Sequence, residues 1–156
     1  MHDGLTGLYN RASFEQELHH LEQGGHFPVG VMMIDVDGLK QVNDMYGHSA
    51  GDVLLQRMAQ VLRLSFRSQD VIARVGGDEF AVLLPGANYQ TMKLVVERIR
   101  NRQLEHNQNY PGLELQFSMG SAVAVTPQEI WSALTEADAA MYDDKSVREN
   151  KTSLPG

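Results

Sequence analysis

The sequence predicts an α+β fold in which an antiparallel sheet of βαββαβ order carries extra helices at both ends. Three observations support this prediction. Two longer apolar segments, "VGVMMID" and "LELQFSM", have the composition or the alternation of strands. Two short apolar runs, "DVIA" and "AVLLP", meet through Gly76 and Gly77, as the strands of a hairpin do. Two amphipathic helical patterns separate the strands, which is the ferredoxin-like order with helices on one face of the sheet.

Helical spacing of apolar residues places the first three helices along the chain. The first is expected after Asn10 and is ended by "QGGHFP", the second follows "SAGD", and the third follows "GANY". Their apolar faces consist, respectively, of Phe14, Leu18 and Leu21; of Leu54, Met58, Val61 and Leu62; and of Met92, Val95, Val96 and Ile99. The second and third helices are expected to cover the sheet.

The segment "TPQE" predicts the start of a final helical region. Thr126 is suited to cap a helix, Pro127 suits the first helical position, and Glu129 stands three residues after the cap, where it completes a capping box. We expect the helix that follows to turn Trp131 and Leu134 toward the core.

Length and composition indicate a single domain. A chain of 156 residues with 42% hydrophobic residues can form one sizeable core. We assign residues 1–150 to this domain and residues 151–156 to a flexible tail. The longest apolar stretch, "PVGVMMI", is far too short to span a bilayer. The absence of cysteine suits a cytoplasmic domain, whether or not a longer parent protein is anchored in a membrane.

The net charge of −7 excludes some partners and restricts others. No basic stripe or polybasic tail is available for nucleic acid or an anionic membrane, so we expect neither to be bound directly. The lack of basic surface also weighs against a fragment of a nucleic-acid polymerase. If the ligand is a phosphate ester, a cation must lie between it and the acidic protein.

Four carboxylates stand where neighbouring strands of the predicted sheet meet. Asp35 and Asp37 end the first strand, and Asp78 and Glu79 follow the glycines of "RVGGDEF". Alone, the Asp-x-Asp pair is typical of a solvated loop. The two glycines alone are typical of a hairpin turn. Convergence of like charges raises carboxylate pKa values and costs stability, so it indicates a bound cation, and oxygen ligands favour Mg²⁺ or Mn²⁺. Two such ions can activate a 3′-hydroxyl and neutralise a leaving pyrophosphate.

Five motifs, in order, resemble the GGDEF family of diguanylate cyclases. They are "DGLTGLYNR", "DVDGLKQVNDMYGHSAGDVLL", "RVGGDEF", "SMGSA" and "ADAAMYDDK", which together extend over residues 3–145. The resemblance implies a palm-like, nucleotidyl cyclase-like fold. It also implies that two GTP molecules are joined head to tail into cyclic di-GMP, with loss of two pyrophosphates.

The resemblance implies that residues of the acidic cluster bind the metal ions and catalyse the reaction. Asp35, the carbonyl of Val36 and Asp78 correspond to ligands of Mg²⁺ or Mn²⁺, with Glu79 beside them. Asp78 or Glu79 would assist removal of the 3′-hydroxyl proton, and the sequence does not distinguish between the two.

The resemblance also implies contacts with the nucleotide. Asn43 and Asp52 correspond to guanine readers, since a carboxylate accepts from guanine N1–H and the 2-amino group, and adenine lacks that donor pair. By spacing alone, a role in turns or helix caps is favoured for both residues. His48 corresponds to a position near the nucleotide, or it braces the loop.

Phosphate contacts are implied for Lys40 and Lys145 and for the backbone N–H groups of Gly38 and Leu39, although surface lysines are usually only solubilising. Position 38 is glycine where the family usually has a bulky residue, which predicts a looser loop and slower catalysis. The spacing to Arg148 is about one residue short of the family pattern, so its phosphate contact is left open.

The residues immediately before Lys145 are a further departure from the family pattern. Asp143 and Asp144 bring negative charge close to Lys145.

A second ligand site is implied by "RSQD". Arg67 and Asp70 match the family's Arg-x-x-Asp product-inhibition motif, and Arg98 stands where a second arginine often joins it. Arginine suits a cyclic dinucleotide because its planar fork grips phosphate and its face stacks on bases. The alternative is a local ion pair between Arg67 and Asp70, with Arg98 solvated.

One such domain holds one GTP, so the reaction implies a two-fold pair of domains, that is, a homodimer. The chain opens at the family's first motif, and we therefore expect an excised catalytic domain that is mainly monomeric and slow at low concentration. The alternative function is a catalytically weak or silent module that binds GTP or cyclic di-GMP for signalling.

Overall fold

A four-stranded antiparallel sheet with helices on both faces forms the structure, a computed structural model that describes residues 1–153, with side chains described as far as Glu149. Along the chain the elements are α1 (Arg11–Glu22), β1 (Val29–Val36), α2 (Leu39–Tyr46), α3 (His48–Ser65), β2 (Val71–Arg74), β3 (Glu79–Pro85), α4 (Tyr89–Asn109), β4 (Phe117–Ala124), a 3₁₀ turn (Pro127–Glu129) and α5 (Ile130–Ser153). None of the helices within residues 1–153 is long and apolar enough to span a bilayer.

The strand order β2-β3-β1-β4 confirms the predicted βαββαβ topology. The two central strands, β1 and β3, run antiparallel, and Asp35 lies opposite Glu79 in their register. All eight residues of β1 are buried, as expected for a strand covered on both faces. The acidic end of β1 is therefore held in a fixed position by β3 on one side and β4 on the other.

Helices α3 and α4 cover one face of the sheet, as predicted. Their apolar stripes, which include Leu54, Met58, Met92, Val95 and Ile99, pack against side chains of β1 and β3. The terminal helices α1 and α5 cover the opposite face through residues that include Phe14, Leu18, Ile130, Ala133 and Ala137. Successive residues of β1 thus enter two different cores.

Helix α5 lies unusually close to β4 because position 120 carries no side chain. A Cβ atom at Gly120 would collide with backbone atoms of Ala137 and Met141. The glycine of the "SMGSA" motif therefore sets the distance between α5 and the sheet.

The predicted strand "LELQFSM" is wrong in its first half. β4 begins at Phe117 and continues to Ala124. Before it, the carbonyl of Leu113 accepts from Arg57, and the carbonyl of Leu115 accepts from Gln103 and Asn107. These side chains occupy the backbone groups that a neighbouring strand would otherwise pair, so the apolar alternation in residues 113–115 does not form a strand.

The capping box at the start of the final helical region is confirmed, with Thr126 and Glu129 each bonded to the other's backbone. Leu134 is partly buried, as predicted. Trp131 is 43% exposed, and its predicted inward orientation is wrong. The inward stripe runs through Ile130 and its helical neighbours, so the next residue is turned about 100° away.

The second predicted helix begins earlier than expected, because α3 starts at His48, and α2 precedes it. α2 is eight residues long and has no fully buried residue, and only its partly buried Leu39 and Val42 pack against the core, so its apolar pattern is short. Gly38 caps α2 with a left-handed φ of 70°, a conformation that other residues adopt only with strain. At the other end of the chain, α5 includes residues 151–153 of the predicted tail, and residues 154–156 lie outside the described residues.

Candidate active site

The junction of β1 and β3 brings the predicted acidic residues together. Asp35 is paired in register with Glu79. The N–H of Val36 donates to the carbonyl of Asp78 over 2.9 Å. These contacts confirm the expected convergence of strand end and hairpin turn.

Asp35 has an incomplete set of partners. Its side chain is 8% exposed, and its Oδ2 atom accepts from Nζ of Lys145 over 2.6 Å. Its Oδ1 atom is buried and has no hydrogen-bond partner among the described residues. Burial raises the pKa of Asp35 to about 6, the hydrogen bond from Lys145 opposes the rise, and the charge of Asp78 adds to it. Asp35 therefore has a cationic partner at Oδ2 and none at Oδ1 among the described residues.

Glu79 is influenced by the negative charges of two neighbouring carboxylates. Its pKa is raised by burial and by the charges of Asp138 and Asp78, while Arg11 lowers it. It lines a cavity of about 420 Å³ between α1 and α5, together with Arg11 and Asp138. Glu79 is therefore a carboxylate that is easier to protonate than an ordinary surface glutamate.

The donor set fits a hard divalent cation. Carboxylate oxygens of Asp35, Asp78 and Glu79 and the carbonyl of Val36 are the ligand type that Mg²⁺ and Mn²⁺ prefer. Within the described residues, no group of three or more His, Cys, Asp or Glu side chains is already arranged to hold a metal. The buried, unpartnered Oδ1 of Asp35 is the observation that fits a cation.

Asp37, two residues after Asp35, has a hydrogen-bond partner of its own. The hydroxyl of Ser118 on β4 donates to Oδ1 of Asp37 over 2.8 Å. Burial raises the pKa of Asp37, whereas Ser118 and the charges of Arg148 and Lys145 lower it. Asp37 is therefore bonded to β4, in a position separate from Asp35.

A cleft of about 690 Å³ adjoins the acidic cluster. Four of the predicted phosphate-contact residues line it: Gly38, Leu39, Lys40 and Lys145. Arg148, whose contact the sequence left open, lines the same cleft. The N-terminus of α2 opens beside Gly38, so unpaired N–H groups add partial positive charge there.

The predicted guanine readers lie on two packed helices, Asn43 on α2 and Asp52 on α3. Oδ1 of Asn43 is buried without a partner among the described residues. Gly51 makes room for it, because a Cβ there would collide with Asn43 Oδ1. Asp52 and His48 are exposed.

Helix capping does not account for these residues. The N-cap residue of α2 is Gly38 and that of α3 is Gly47, so neither helix start is capped by the side chain of Asn43 or Asp52. The capping alternative for Asn43 and Asp52 is therefore wrong at both helix starts.

The local ion pair of the Arg-x-x-Asp motif is present. Nη2 of Arg67 lies 3.3 Å from Oδ1 of Asp70, and the N–H of Arg67 donates to Oδ2 of Asp70 over 2.9 Å. Asp70 is 2% exposed in its side chain, whereas Arg67 is 53% exposed. Arg98 is exposed on α4. The pair fixes Arg67 and leaves much of its guanidinium accessible.

Sequence reasoning missed a polar cluster behind the phosphate cleft. Oδ2 of Asp144 accepts from Nη2 of Arg100 over 3.0 Å and from the N–H of Met119 over 2.9 Å, and Arg148 Nε lies 3.2 Å away. The sequence suggested that Asp144 adds negative charge near Lys145, but Asp144 is neutralised by these partners. The only signal was the position of Asp144 beside Lys145, because Arg100 is 44 residues distant.

Comparison with known proteins identifies similar chains. A family model described as "Diguanylate cyclase, GGDEF domain" matches residues 1–151. The chain is 36% identical over 151 residues to the probable diguanylate cyclase DgcE of Escherichia coli (strain K12), which is 93% of this chain and 14% of that protein. It is 34% identical over 153 residues to the diguanylate cyclase DgcS of Shewanella oneidensis, which is 96% of this chain and 51% of that protein. The chain therefore spans about half or less of these relatives.

Solved structures of other proteins have the same fold as this chain. The diguanylate cyclase SiaD of Pseudomonas aeruginosa, solved in complex with its activator SiaC, superimposes with a TM-score of 0.83 at 31% identity, over 94% of this chain and 58% of that chain. The GGDEF domain of DgcB from Caulobacter crescentus, solved in complex with c-di-GMP, gives a TM-score of 0.80 at 31% identity, over 93% of this chain and 87% of that chain.

Proposed function

The chain belongs to the GGDEF domain family, and on that premise we propose that it is a diguanylate cyclase, which joins two GTP molecules into cyclic di-GMP with release of two pyrophosphates. One observation carries the proposal. Asp35 lies in register with Glu79 and beside Asp78, and its buried Oδ1 atom lacks a partner among the described residues. A divalent cation would complete that arrangement.

The cation would be Mg²⁺ or Mn²⁺, and Asp35, the Val36 carbonyl, Asp78 and Glu79 would hold it. When bound, it supplies Lewis-acid chemistry, which lowers the pKa of the attacking 3′-hydroxyl and neutralises charge on the leaving pyrophosphate. Asp35 contributes a carboxylate whose ionisation is costly in the absence of a cation, so binding and deprotonation of this residue are linked.

Proton removal falls to Asp78 or Glu79. A general base is more effective when its pKa lies nearer the working pH. The pKa of Glu79 is raised by burial and by Asp138 and Asp78, and this supports Glu79 as the acceptor of the 3′-hydroxyl proton.

Guanine is read by Asn43 and Asp52 between α2 and α3. The unpartnered Oδ1 of Asn43 and the exposed carboxylate of Asp52 are acceptors, which match the N1–H and 2-amino donors of guanine. Adenine lacks that pair of donors, so it would leave the acceptors unsatisfied. His48, at the start of α3, borders the same nucleotide site.

The triphosphate lies in the cleft of about 690 Å³. Lys40 and Lys145 supply positive charge, and the N–H groups of Gly38 and Leu39 donate at the start of α2. The left-handed backbone at Gly38 supports this role because it turns the chain from β1 directly into that helix end.

Product feedback is proposed at Arg67, Asp70 and Arg98. The exposed guanidinium of Arg67, oriented by buried Asp70, supports binding of a phosphate or a guanine edge. The DgcB domain of known structure was solved in complex with c-di-GMP. Cyclic di-GMP bound here would act as an inhibitor of the same chain.

Catalysis is proposed to require a homodimer. Each domain holds one GTP, and the product contains two nucleotides, so two sites must face each other across a two-fold axis.

The proposal is tested by incubating the protein with Mg²⁺ and either GTP or ATP and separating the products by chromatography. We expect a cyclic dinucleotide from GTP alone, none without the divalent ion, and a loss of at least about a hundredfold for Asp78→Ala. Binding of GTP or cyclic di-GMP without turnover would instead indicate a silent binding module.

A further inference from the structure

The segment of α5 that carries Lys145 lies beyond the apolar packing of that helix. In the described part of α5, the last buried side chain is Met141, and residues 142–149 are partly or fully exposed. Apolar burial therefore fixes the first half of α5 against the sheet and does not fix the turn that includes Lys145.

Polar contacts of Asp144 attach this turn to the sheet. Its Oδ2 atom accepts from Nη2 of Arg100 and from the N–H of Met119 at the centre of β4, at 3.0 and 2.9 Å. Arg100 is itself fixed, because its Nη1 donates to the carbonyl of Phe117 over 2.9 Å and its guanidinium lies 4.9 Å from the Phe117 ring. One carboxylate thus connects α5, α4 and β4.

The charge of Arg100 makes this connection selective for a carboxylate. Burial and the charge of Arg148 lower the pKa of Arg100 to about 10, and the charges of Asp144 and Asp37 oppose that change. A partly buried guanidinium without its carboxylate partner would be poorly compensated. Arg100 and Asp144 therefore hold each other in place.

Lys145 needs this support because its hydrogen-bond partner, Asp35, is a residue of the proposed cation site. Nζ of Lys145 is hydrogen-bonded to Asp35, and cation binding at Asp35 would displace that bond. We propose that Asp144, held by Arg100, is a positioning residue that keeps Lys145 at the phosphate cleft when Asp35 binds the cation. This inference rests on the proposed function, since it assigns the cation to Asp35 and the triphosphate to Lys145.

The test measures affinity for a non-hydrolysable GTP analogue by calorimetry in the presence of Mg²⁺. We expect Asp144→Ala and Arg100→Met to bind the analogue about tenfold more weakly than the wild-type protein, because a displaced lysine loses its contact with phosphate. Asp143→Ala removes the same charge from an exposed neighbour and should stay within about twofold of the wild-type affinity.

A double-mutant cycle separates positioning from stability. In a Lys145→Ala background, Asp144→Ala should cause no further loss of analogue affinity, although it lowers the melting temperature in both backgrounds. Equal losses of affinity in both backgrounds, or wild-type affinity in Asp144→Ala, would overturn the inference. If Asp144→Ala does not fold, Asp144→Asn, which removes the charge and keeps the side-chain shape, is used in the same cycle.

Binding of the analogue by the wild-type protein shows whether a negative result concerns the proposed function or only the role of Asp144. Wild-type protein that does not bind the analogue would remove the proposed function and this inference together. Wild-type binding that is unchanged in the Asp144 variants removes this inference alone.

Discussion

Asp35 combines deep burial with an unpartnered oxygen atom, and its titration should be visible in the stability of the folded protein. Its pKa in the fold is about 6 compared with 3.8 in the unfolded chain, chiefly because of burial. Between these values the folded protein binds a proton that the unfolded chain does not. The stability from this group is therefore complete below pH about 4 and lost as the pH rises through about 6.

This gives a pH prediction in the absence of divalent cations. From pH 7.5 to pH 5, the wild-type protein should gain on the order of 1 kcal/mol of unfolding free energy relative to Asp35→Asn, measured by urea denaturation. Asp143→Asn, at an exposed position, serves as the control and should follow the wild type. A gain that is the same in Asp35→Asn would contradict the assigned environment of Asp35.

Arg67 provides a prediction about regulation. Arg67→Ala removes the exposed guanidinium and leaves Asp70 buried, so cyclic di-GMP should inhibit this variant at least about tenfold less strongly, while initial velocity changes little. The measurement is the initial rate of pyrophosphate release as cyclic di-GMP is added. Arg63→Ala is unsuitable as a control because it breaks a bond to Thr6, so Arg102→Ala is used.

An unchanged inhibition curve for Arg67→Ala would show that the Arg67–Asp70 contact is only the local ion pair that the structure contains.

At the scale of single residues, the sequence predicted the acidic cluster well and the polar cluster poorly. Asp35, Asp78 and Glu79 were recognisable because charges interrupt apolar strands. Arg100 and Asp144 stand in helices with many other charged residues, and only the packing of α4 and α5 against β4 brings them together. Charged residues on helices are usually solvated, so their pairing cannot be read from composition.

At the scale of elements, the packing of α2 on α3 creates the space for Asn43. Gly51 lies in the first turn of α3, where alanine would normally favour the helix by about 1 kcal/mol. Here a Cβ would collide with Oδ1 of Asn43 and displace the side chain. The glycine is therefore explained by the close approach of Asn43 and not by helix propensity.

The predicted effect of Gly51→Ala is a loss of function without a matching loss of stability. Affinity for a GTP analogue should fall about tenfold, while the unfolding free energy changes by less than about 1 kcal/mol, because the side chain that must move is flexible. Ser49→Ala, exposed in the same turn, is the matched control. Unaltered affinity in Gly51→Ala would show that Asn43 does not need its present position.

Elements with a long apolar pattern were predictable, whereas a short helix and a segment held by side-chain hydrogen bonds were not. β1, α3 and α4 each have buried residues at strand or helix spacing. α2 has only the partly buried Leu39 and Val42 over eight residues, and residues 113–115 have strand alternation but are bonded to side chains of α3 and α4. Apolar periodicity reflects which residues are buried. It therefore cannot distinguish a strand from an extended segment whose backbone groups are hydrogen-bonded to side chains.

At the scale of the whole molecule, the sequence predicted the order of the elements. The predicted hairpin, crossover helices and strands are all compatible with the βαββαβ topology. The second layer of helices did not follow, since α1 and α5 are far apart in the chain and meet on the face of the sheet that α3 and α4 leave open.

The need for two domains predicts a dependence on protein concentration. If each domain holds one GTP, specific activity should rise with enzyme concentration until the dimer is populated. The measurement is initial velocity per mole of protein from nanomolar to high micromolar enzyme, with the dimer fraction followed by analytical ultracentrifugation. Specific activity that stays constant while the protein changes from monomer to dimer would exclude the proposed arrangement.

The central claim is that the ends of β1 and β3 hold a divalent cation for GTP. The most direct measurement is the anomalous scattering of a crystal grown with Mn²⁺ and a non-hydrolysable GTP analogue. We expect a peak within coordinating distance of Oδ1 of Asp35 and of a carboxylate oxygen of Asp78, with the triphosphate beside Lys145. A bound analogue with no peak between Asp35 and Asp78, and with Lys145 still bonded to Asp35, would contradict the account.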